Sequence, residues 1–354
     1  MEYLIGFLVF AAVAYAIALR IFPHTVTWKE VLIGIAVQCV IITTVLYAGI
    51  YSKGHDVQIL NGYVTEKFKD RVSCEHSYSC NCRNVCSGTG SSRSCSRECD
   101  TCYEHTHDYD WVVRSTVGSL LIPRVDRQGA KEPPRFSKVE VGEFFAKESS
   151  YFNYIKASPL TIFDKNLIEN QIQTPSYISV YDHYRINRVI NFGSAFVGDF
   201  NDLNNHLNES LKTLGGQKKV NVVVLFHKGT NAFVETVRAK LYGGKINDVV
   251  VAIKASQSGE VETVDAFSWS KNDLVNVKIR DAVLDMKVLG DMKLLSDNIT
   301  NTILKEYQPR RIEEFQYLKA NIEPPVGIIW FLWIFGLAFP FVWGYIAHKH
   351  LDVR

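Results

Sequence analysis

Three stretches of the chain are apolar without a charged interruption. Tyr3 to Leu19 carries no charge, and with Arg20, Ile21 and Phe22 it reaches the roughly 20 residues that a helix needs to cross hydrocarbon. Val31 to Tyr51 is uncharged as well, with Gln38, Thr43 and Thr44 as its notable polar groups; such side chains can bond to helix carbonyls or to a neighbouring helix. Val326 to Ala347 follows Pro324-Pro325 and places Trp330, Trp333, Trp343 and Tyr345 near its ends, where amphipathic rings favour a membrane interface. The pattern predicts three transmembrane helices, two within residues 1–51 around a short turn and one within residues 323–354 before a short tail. A cleaved signal peptide is the competing reading of residues 1–19, but Glu2 stands where a basic n-region would be.

Between these stretches the periodicity changes. Residues 52–110 open with alternation around Val57, Ile59 and Leu60 that permits a strand, then become rich in Cys and His. Residues 111–195 are punctuated by Pro123, Pro133-Pro134, Pro159 and Pro175, and short runs such as Trp111-Val112-Val113 and Val139 to Phe145 suit an irregular β-rich region. Residues 196–322 read as layered α/β. Asp199-Phe200-Asn201-Asp202 caps a helix to Leu214 that Gly215-Gly216 should end, and Val220 to Phe226 is a continuous apolar run typical of a buried strand. A helix from Asn231 to Tyr242, stopped by Gly243-Gly244, a strand from Asp248 to Ile253 and a strand from Val261 to Trp269 across a Ser256 to Gly259 turn follow. A last helix is expected from Asp291 to Leu318, with a break at Pro309. The fold class is therefore a membrane-anchored α+β protein with three spans, a Cys-rich β-containing region and an α/β layer.

The formal charge of +2 over 354 residues leaves no concentrated basic face for nucleic acid. It helps little with orientation. Arg20 and Lys29 against Glu30 in the first turn, and His348, Lys349, His350 and Arg354 against Asp352 in the tail, fall on one side of the bilayer. Placing them in the cytoplasm puts the large domain outside, in the periplasm of a bacterial inner membrane. Lys53, Lys67, Lys69, Arg310, Arg311 and Lys319 flank the spans on the domain side and pull the other way.

Seven of the eight cysteines lie at positions 74, 80, 82, 86, 95, 99 and 102, with His76, His105 and His107 nearby. Two chemistries fit. Cys80-x-Cys82-x3-Cys86 and Cys95-x3-Cys99-x2-Cys102-x2-His105 have spacings that let thiolates converge on zinc, and Cys74, Cys80, Cys82, Cys86, Cys95, Cys99, Cys102 and His105 would fill two four-coordinate sites. A disulfide-stapled loop is the alternative, with the polar Ser87 to Arg93 as its tip. An extracytoplasmic domain favours disulfides, and the odd count then leaves one thiol over. Cys39, inside the second span, reads as a packing residue. His107, Asp108 and Asp110 could add an open metal site, or be the solvated start of a strand. No nucleophile elbow, phosphate-cradling glycine loop or paired-histidine zinc helix is present. Tyr181, Asp182, His183, Tyr184, Arg185 and Arg188 could bind an anion or a partner, although such a run more often turns its charges to water.

The helix Asp199 to Leu214, the strand Val220 to Phe226, the helix ending at Gly243-Gly244 and Asn247-Asp248 leading into Val249-Val250-Val251 resemble, in their order, the TPM domain. That resemblance implies an extracytoplasmic α/β module tethered by a membrane span, with phosphatase activity in some members and Asp248 as a metal or catalytic carboxylate beside Asp265 or Asp273. The chain departs from it at Val249, where the family has glycine, and at Phe267 to Lys271, where the family is glycine-rich. The Cys-rich stretch with Asp100-Thr101-Cys102-Tyr103-Glu104-His105 and Asp110-Trp111-Val112-Val113 is similar to uncharacterised membrane proteins of tailed bacteriophages, which implies an envelope-resident or virion-associated component. The leading expectation is a non-enzymatic membrane protein whose outer domain assembles with itself or binds an envelope partner. A membrane-tethered hydrolase and a zinc or redox sensor are the alternatives.

Overall fold

The computed structural model describes residues 2–21, 27–87, 94–159, 163 and 171–350. These form an α+β protein with two helices long and apolar enough to cross a membrane, a disulfide-rich β-hairpin and a mixed sheet. The chain divides into two compact units.

The first unit holds α1 (Glu2–Ile21), α2 (Trp28–Gly54) and the C-terminal helix Val326–His350. Trp28–Gly54 and Val326–Ala347 meet the length needed for a span, and Ile5–Ile21 is a shorter apolar helix. Thr27 and Glu30 close a capping box at the start of α2: the Glu30 N–H donates to Thr27 Oγ1 at 3.4 Å and the Thr27 N–H to Glu30 Oε2 at 2.7 Å. Phe7, Ile42, Leu46 and Leu332 make the buried centre of the bundle, while Val40, Tyr47, Trp330 and Ile334 are exposed on its outside.

One polar contact inside the bundle explains two otherwise awkward residues. Pro340 sits within the C-terminal helix, and a proline has no N–H to give the carbonyl four residues earlier. That carbonyl belongs to Gly336, and Gln38 of α2 donates to it at 3.1 Å. The polar residue in the second apolar stretch thus supplies the hydrogen bond that the proline removes. Close approach is secured by Gly49, where an added Cβ would stand 2.4 Å from Ile328 Cδ1.

In the second unit, strands β1 (His55–Val72), β4 (Asp108–Ser115), β5 (Gly118–Ile122) and β6 (Phe144–Phe152) form a sheet of order β5-β4-β1-β6. Its apolar face packs Val64, Trp111, Val113, Ile122 and Phe145 against Phe136, Val139 and Tyr184. Between β1 and β4 the chain leaves the sheet as a hairpin, β2 (Ser77–Ser87) with β3 (Ser94–Tyr103). A two-stranded pair, β7 (Val180–Tyr181) with β8 (Arg185–Ile186), precedes the second large sheet.

That sheet runs β12-β11-β10-β9, with β9 (Val189–Phe192), β10 (Asn221–His227) and β11 (Asp248–Ala255) parallel and β12 (Val261–Ser268) antiparallel. Side chains on β10 alternate between two cores, as a strand period of two requires. Val222, Val224 and Phe226 face helix α3 (Phe200–Lys218) through Leu203, Leu207, Leu211 and Leu214, whose four-residue spacing lines one helical face. Val223 and Leu225 face α4 (Asn231–Lys240) through Phe233, Val234 and Val237. Two further helices, α5 (Leu274–Leu284) and α6 (Met292–Glu306), join the first core.

The structure departs from the sequence reading at three places. The helix expected to end at Gly215-Gly216 continues to Lys218 and stops where Lys219 turns left-handed at φ 52°. Gly215 is needed for contact instead: an added Cβ would lie 2.5 Å from Asn61 Cβ. Helix α5 was not expected, although Val275, Ile279 and Val283 repeat every four residues and are fully buried; its β-branched content resembles a strand. The single helix expected from Asp291 to Leu318 is two elements, α6 and a 3-10 segment Ile312–Asn321.

Candidate metal centre

The hairpin is a ladder of disulfides with no core. Cys86 and Cys95 are direct cross-strand partners in the β2–β3 register, and they are bonded with Cα atoms 4.0 Å apart. Cys82–Cys99 falls within the register shift between Cys80 and Arg83. Cys80–Cys102 closes the inner end. Nearly every side chain of β2 is exposed, so the bridges replace the packing that a two-stranded ribbon cannot supply for itself.

The seventh cysteine is treated differently. Cys74 is a free, buried thiol, two residues beyond the end of β1, and the fold surrounds it with His76, His105 and Asp108. Strand β4 begins at Asp108, which pairs in register with Val72 at the end of β1. The segments entering and leaving the hairpin are therefore adjacent, and one atom from each of the four side chains lies within 4.8 Å of all the others. His105 Nδ1 is 3.2 Å from Asp108 Oδ1 and 3.8 Å from Cys74 Sγ, and His76 Nδ1 is 3.4 Å from Asp108 Oδ2. In a tetrahedral zinc site with bonds of about 2.0–2.3 Å, ligand atoms stand about 3.3–3.8 Å apart. The cluster has very nearly that size.

Its electrostatics suit a cation. The Asp108 side chain is 0 % exposed, and those of His76 and His105 are 25 % and 27 % exposed. Burial pushes the Asp108 carboxyl up, yet the Glu75 N–H, the Cys74 thiol, the Arg124 guanidinium and His76 together hold it below its ordinary range. It is a carboxylate with one fixed orientation, because the Glu75 N–H and Arg124 both donate to Oδ2, at 3.0 and 3.2 Å. Arg124 is in turn held by Asp110 at 2.6 Å, the kind of outer partner that orients a metal ligand. His76 Nδ1 is buried and has no hydrogen-bond partner. A buried nitrogen lone pair or N–H without a partner is costly, and a metal would satisfy it. The cluster borders a surface cleft lined by Ser73, Cys74, Tyr103, Glu104, His105 and Thr106, which gives an ion a way in. This group could hold a metal ion.

No protein-family model, curated protein or solved structure matches this chain.

The residues singled out by sequence are thus distributed among three places. Cys80, Cys82, Cys86, Cys95, Cys99 and Cys102 are disulfide-bonded, so they do not form the two thiolate zinc sites that their spacing allowed. Cys74, His105 and Asp108 come together at the hairpin root. His107 lies outside, its Nε2 2.8 Å from Tyr109 Oη, and Asp110 is occupied by Arg124. His76 is the ligand that sequence reasoning left out of the site, although Cys74-x-His76 before the hairpin mirrors His105-x2-Asp108 after it.

Asp248 stands elsewhere, fully buried at the start of β11. Tyr177 Oη donates to it at 2.8 Å, Asn221 Nδ2 at 2.8 Å and the Lys245 N–H at 2.9 Å. Burial pushes its carboxyl up against the pull of these donors. Asp265 is opposite Ala252 in the ladder, four positions along β11 from Asp248, and Asp273 precedes α5, so the carboxylates that a hydrolase would gather are apart. Arg188 was expected to face water and is instead fully buried. It reaches Asn221 as well, at 2.7 Å, so one asparagine bridges the buried cation and the buried acid. Burial pulls its guanidinium down to about 9.

Proposed function

We propose that this is an integral membrane protein whose large domain faces an oxidising compartment, such as the periplasm of a bacterial inner membrane, and projects a disulfide-laddered arm, with zinc bound at its root, towards an envelope partner or a second copy. The observation that carries the reading is the division of labour among the cysteines: six are paired along an exposed hairpin, and one is kept out of pairing among two histidines and an aspartate. Disulfides of this density persist in oxidising surroundings. A thiolate, two imidazoles and a carboxylate are a borderline ligand set that suits zinc over the hard, all-oxygen cations.

The membrane part of the reading rests on α2, on the C-terminal helix and on α1 as a third span. Gln38 satisfying the Gly336 carbonyl is what a bundle without water inside it requires. With α1 and α2 both crossing, the arm lies on the same side as the N-terminus, and the basic turn at Arg20 and Lys29 lies in the cytoplasm. Labelling tests this. Mild reduction of intact spheroplasts followed by a membrane-impermeant maleimide should modify the arm cysteines as fully as in lysed cells. Labelling that appears only after lysis would put the arm in the cytoplasm and overturn the proposal.

A further inference from the structure

The arm and its root are held by two independent kinds of cross-link. Strands β2 and β3 make their extended contacts with one another, and among the described residues neither forms a comparable contact with any other element. The three bridges fix the arm's width, since each joins β2 to β3. None of them joins the arm to the sheet. The arm's bearing on β1 and β4 is therefore decided over the two short crossings, Ser73 to His76 and Glu104 to His107.

Those crossings contribute the metal ligands symmetrically. Cys74 and His76 come from the chain entering the arm, and His105 and Asp108 from the chain leaving it. Two direct hydrogen bonds tie the crossings together, Glu104 N–H to His76 O at 3.0 Å and Glu75 N–H to Asp108 Oδ2 at 3.0 Å. Asp108 is itself the first residue of the sheet strand β4, so an ion bonded to all four would link the arm's entry and exit to the sheet at one point. His76 Nδ1, the buried atom without a partner, belongs to the residue that adjoins β2.

We infer that the metal is the clasp that fixes the arm to the domain, so that metal occupancy controls the direction in which the arm is presented while the disulfides preserve its internal structure. The inference rests on the metal reading above. It makes the centre regulatory: two reagents should act on two separate parts, a chelator on the root and a reductant on the ladder. A four-ligand set that converges from both crossings closes the coordination shell, which assigns the ion to holding the root together.

Hydrogen exchange of the full chain in detergent, purified with zinc and without reductant, tests this. Chelation should speed exchange at Glu75 and Glu104 by about tenfold or more, the signature of local opening, while amides between Cys80 and Cys86 and between Cys95 and Cys102 keep their protection. Returning zinc should restore the root. Cys74→Ser and Asp108→Asn should both behave like the chelated protein, and the second keeps the side chain's shape. A protein that binds zinc but whose root exchange ignores its removal would overturn the clasp and leave the metal reading standing. A protein that binds no zinc would overturn both. Loss of protection throughout both large sheets on chelation would also overturn the clasp, because the ion would then be supporting the whole fold.

Discussion

Replacing Arg188 with methionine should cost about 3–5 kcal/mol of stability, enough to unfold a domain of ordinary stability, because it strands buried polar groups without a partner. Arg188 is fully buried and its donors reach four oxygens on three elements. Nε donates to Asn208 Oδ1 of α3 at 2.7 Å, Nη1 to Asn221 Oδ1 and the Val222 carbonyl of β10 at 2.7 and 3.1 Å, and Nη2 to Asn61 Oδ1 of β1 at 3.0 Å. The guanidinium also lies over Phe144, 5.2 Å from the ring centroid. Methionine fills much of the volume but donates nothing, and each stranded acceptor costs roughly 1–3 kcal/mol before relaxation. Lysine should fare little better, since one ammonium cannot reproduce a planar fork across four acceptors. Urea unfolding of the full chain in detergent, followed by near-ultraviolet circular dichroism, measures the difference. A cost under about 1 kcal/mol for Arg188→Met would show that the network is dispensable.

Reducing the three bridges should melt the arm alone. An isolated two-stranded hairpin is marginal in water, and β2 has almost no buried side chain with which to resist opening. The bridged residues are 22, 17 and 9 positions apart, and each closure is worth about 2–4 kcal/mol, with less than additive gains because the loops are nested. Peptides from Ser77 to Tyr103 should therefore lose protease resistance on mild reduction, while the large sheets, whose cores contain no cysteine, unfold at an unchanged urea midpoint. An arm that stays resistant would need packing that these strands lack. Cooperative loss of arm and sheets would mean that the arm is part of the domain core.

Local features of the chain were legible in the sequence. Leu203, Leu207, Leu211 and Leu214 announce a helix, the run from Val222 to Phe226 announces a buried strand, and the concentration of cysteines announces a stapled segment. What the sequence withheld was set by register and by distance along the chain. Pairing of Cys82 with Cys99 depends on an irregularity between Cys80 and Arg83, which spacing does not encode. The metal cluster needs Asp108 beside Val72, a consequence of β1 pairing with β4. Gly215 looks like a stop signal until Asn61, far away in sequence, is placed against it. Arg188 sits in a run of charged and aromatic residues that reads as a wet surface, and only the convergence of three asparagines makes its burial affordable. Gln38 likewise gains its meaning from Pro340.

The central claim, that six cysteines serve the ladder and Cys74 is reserved for a metal, is decided by one stoichiometry. The full chain, purified in detergent with zinc and without reductant, should carry about one zinc per chain and release it when Cys74 is replaced by serine. After denaturation it should then show two reactive thiols, matching the two free cysteines Cys39 and Cys74. Eight reactive thiols, or no bound zinc with Cys74 joined in a disulfide to another chain, would contradict the account.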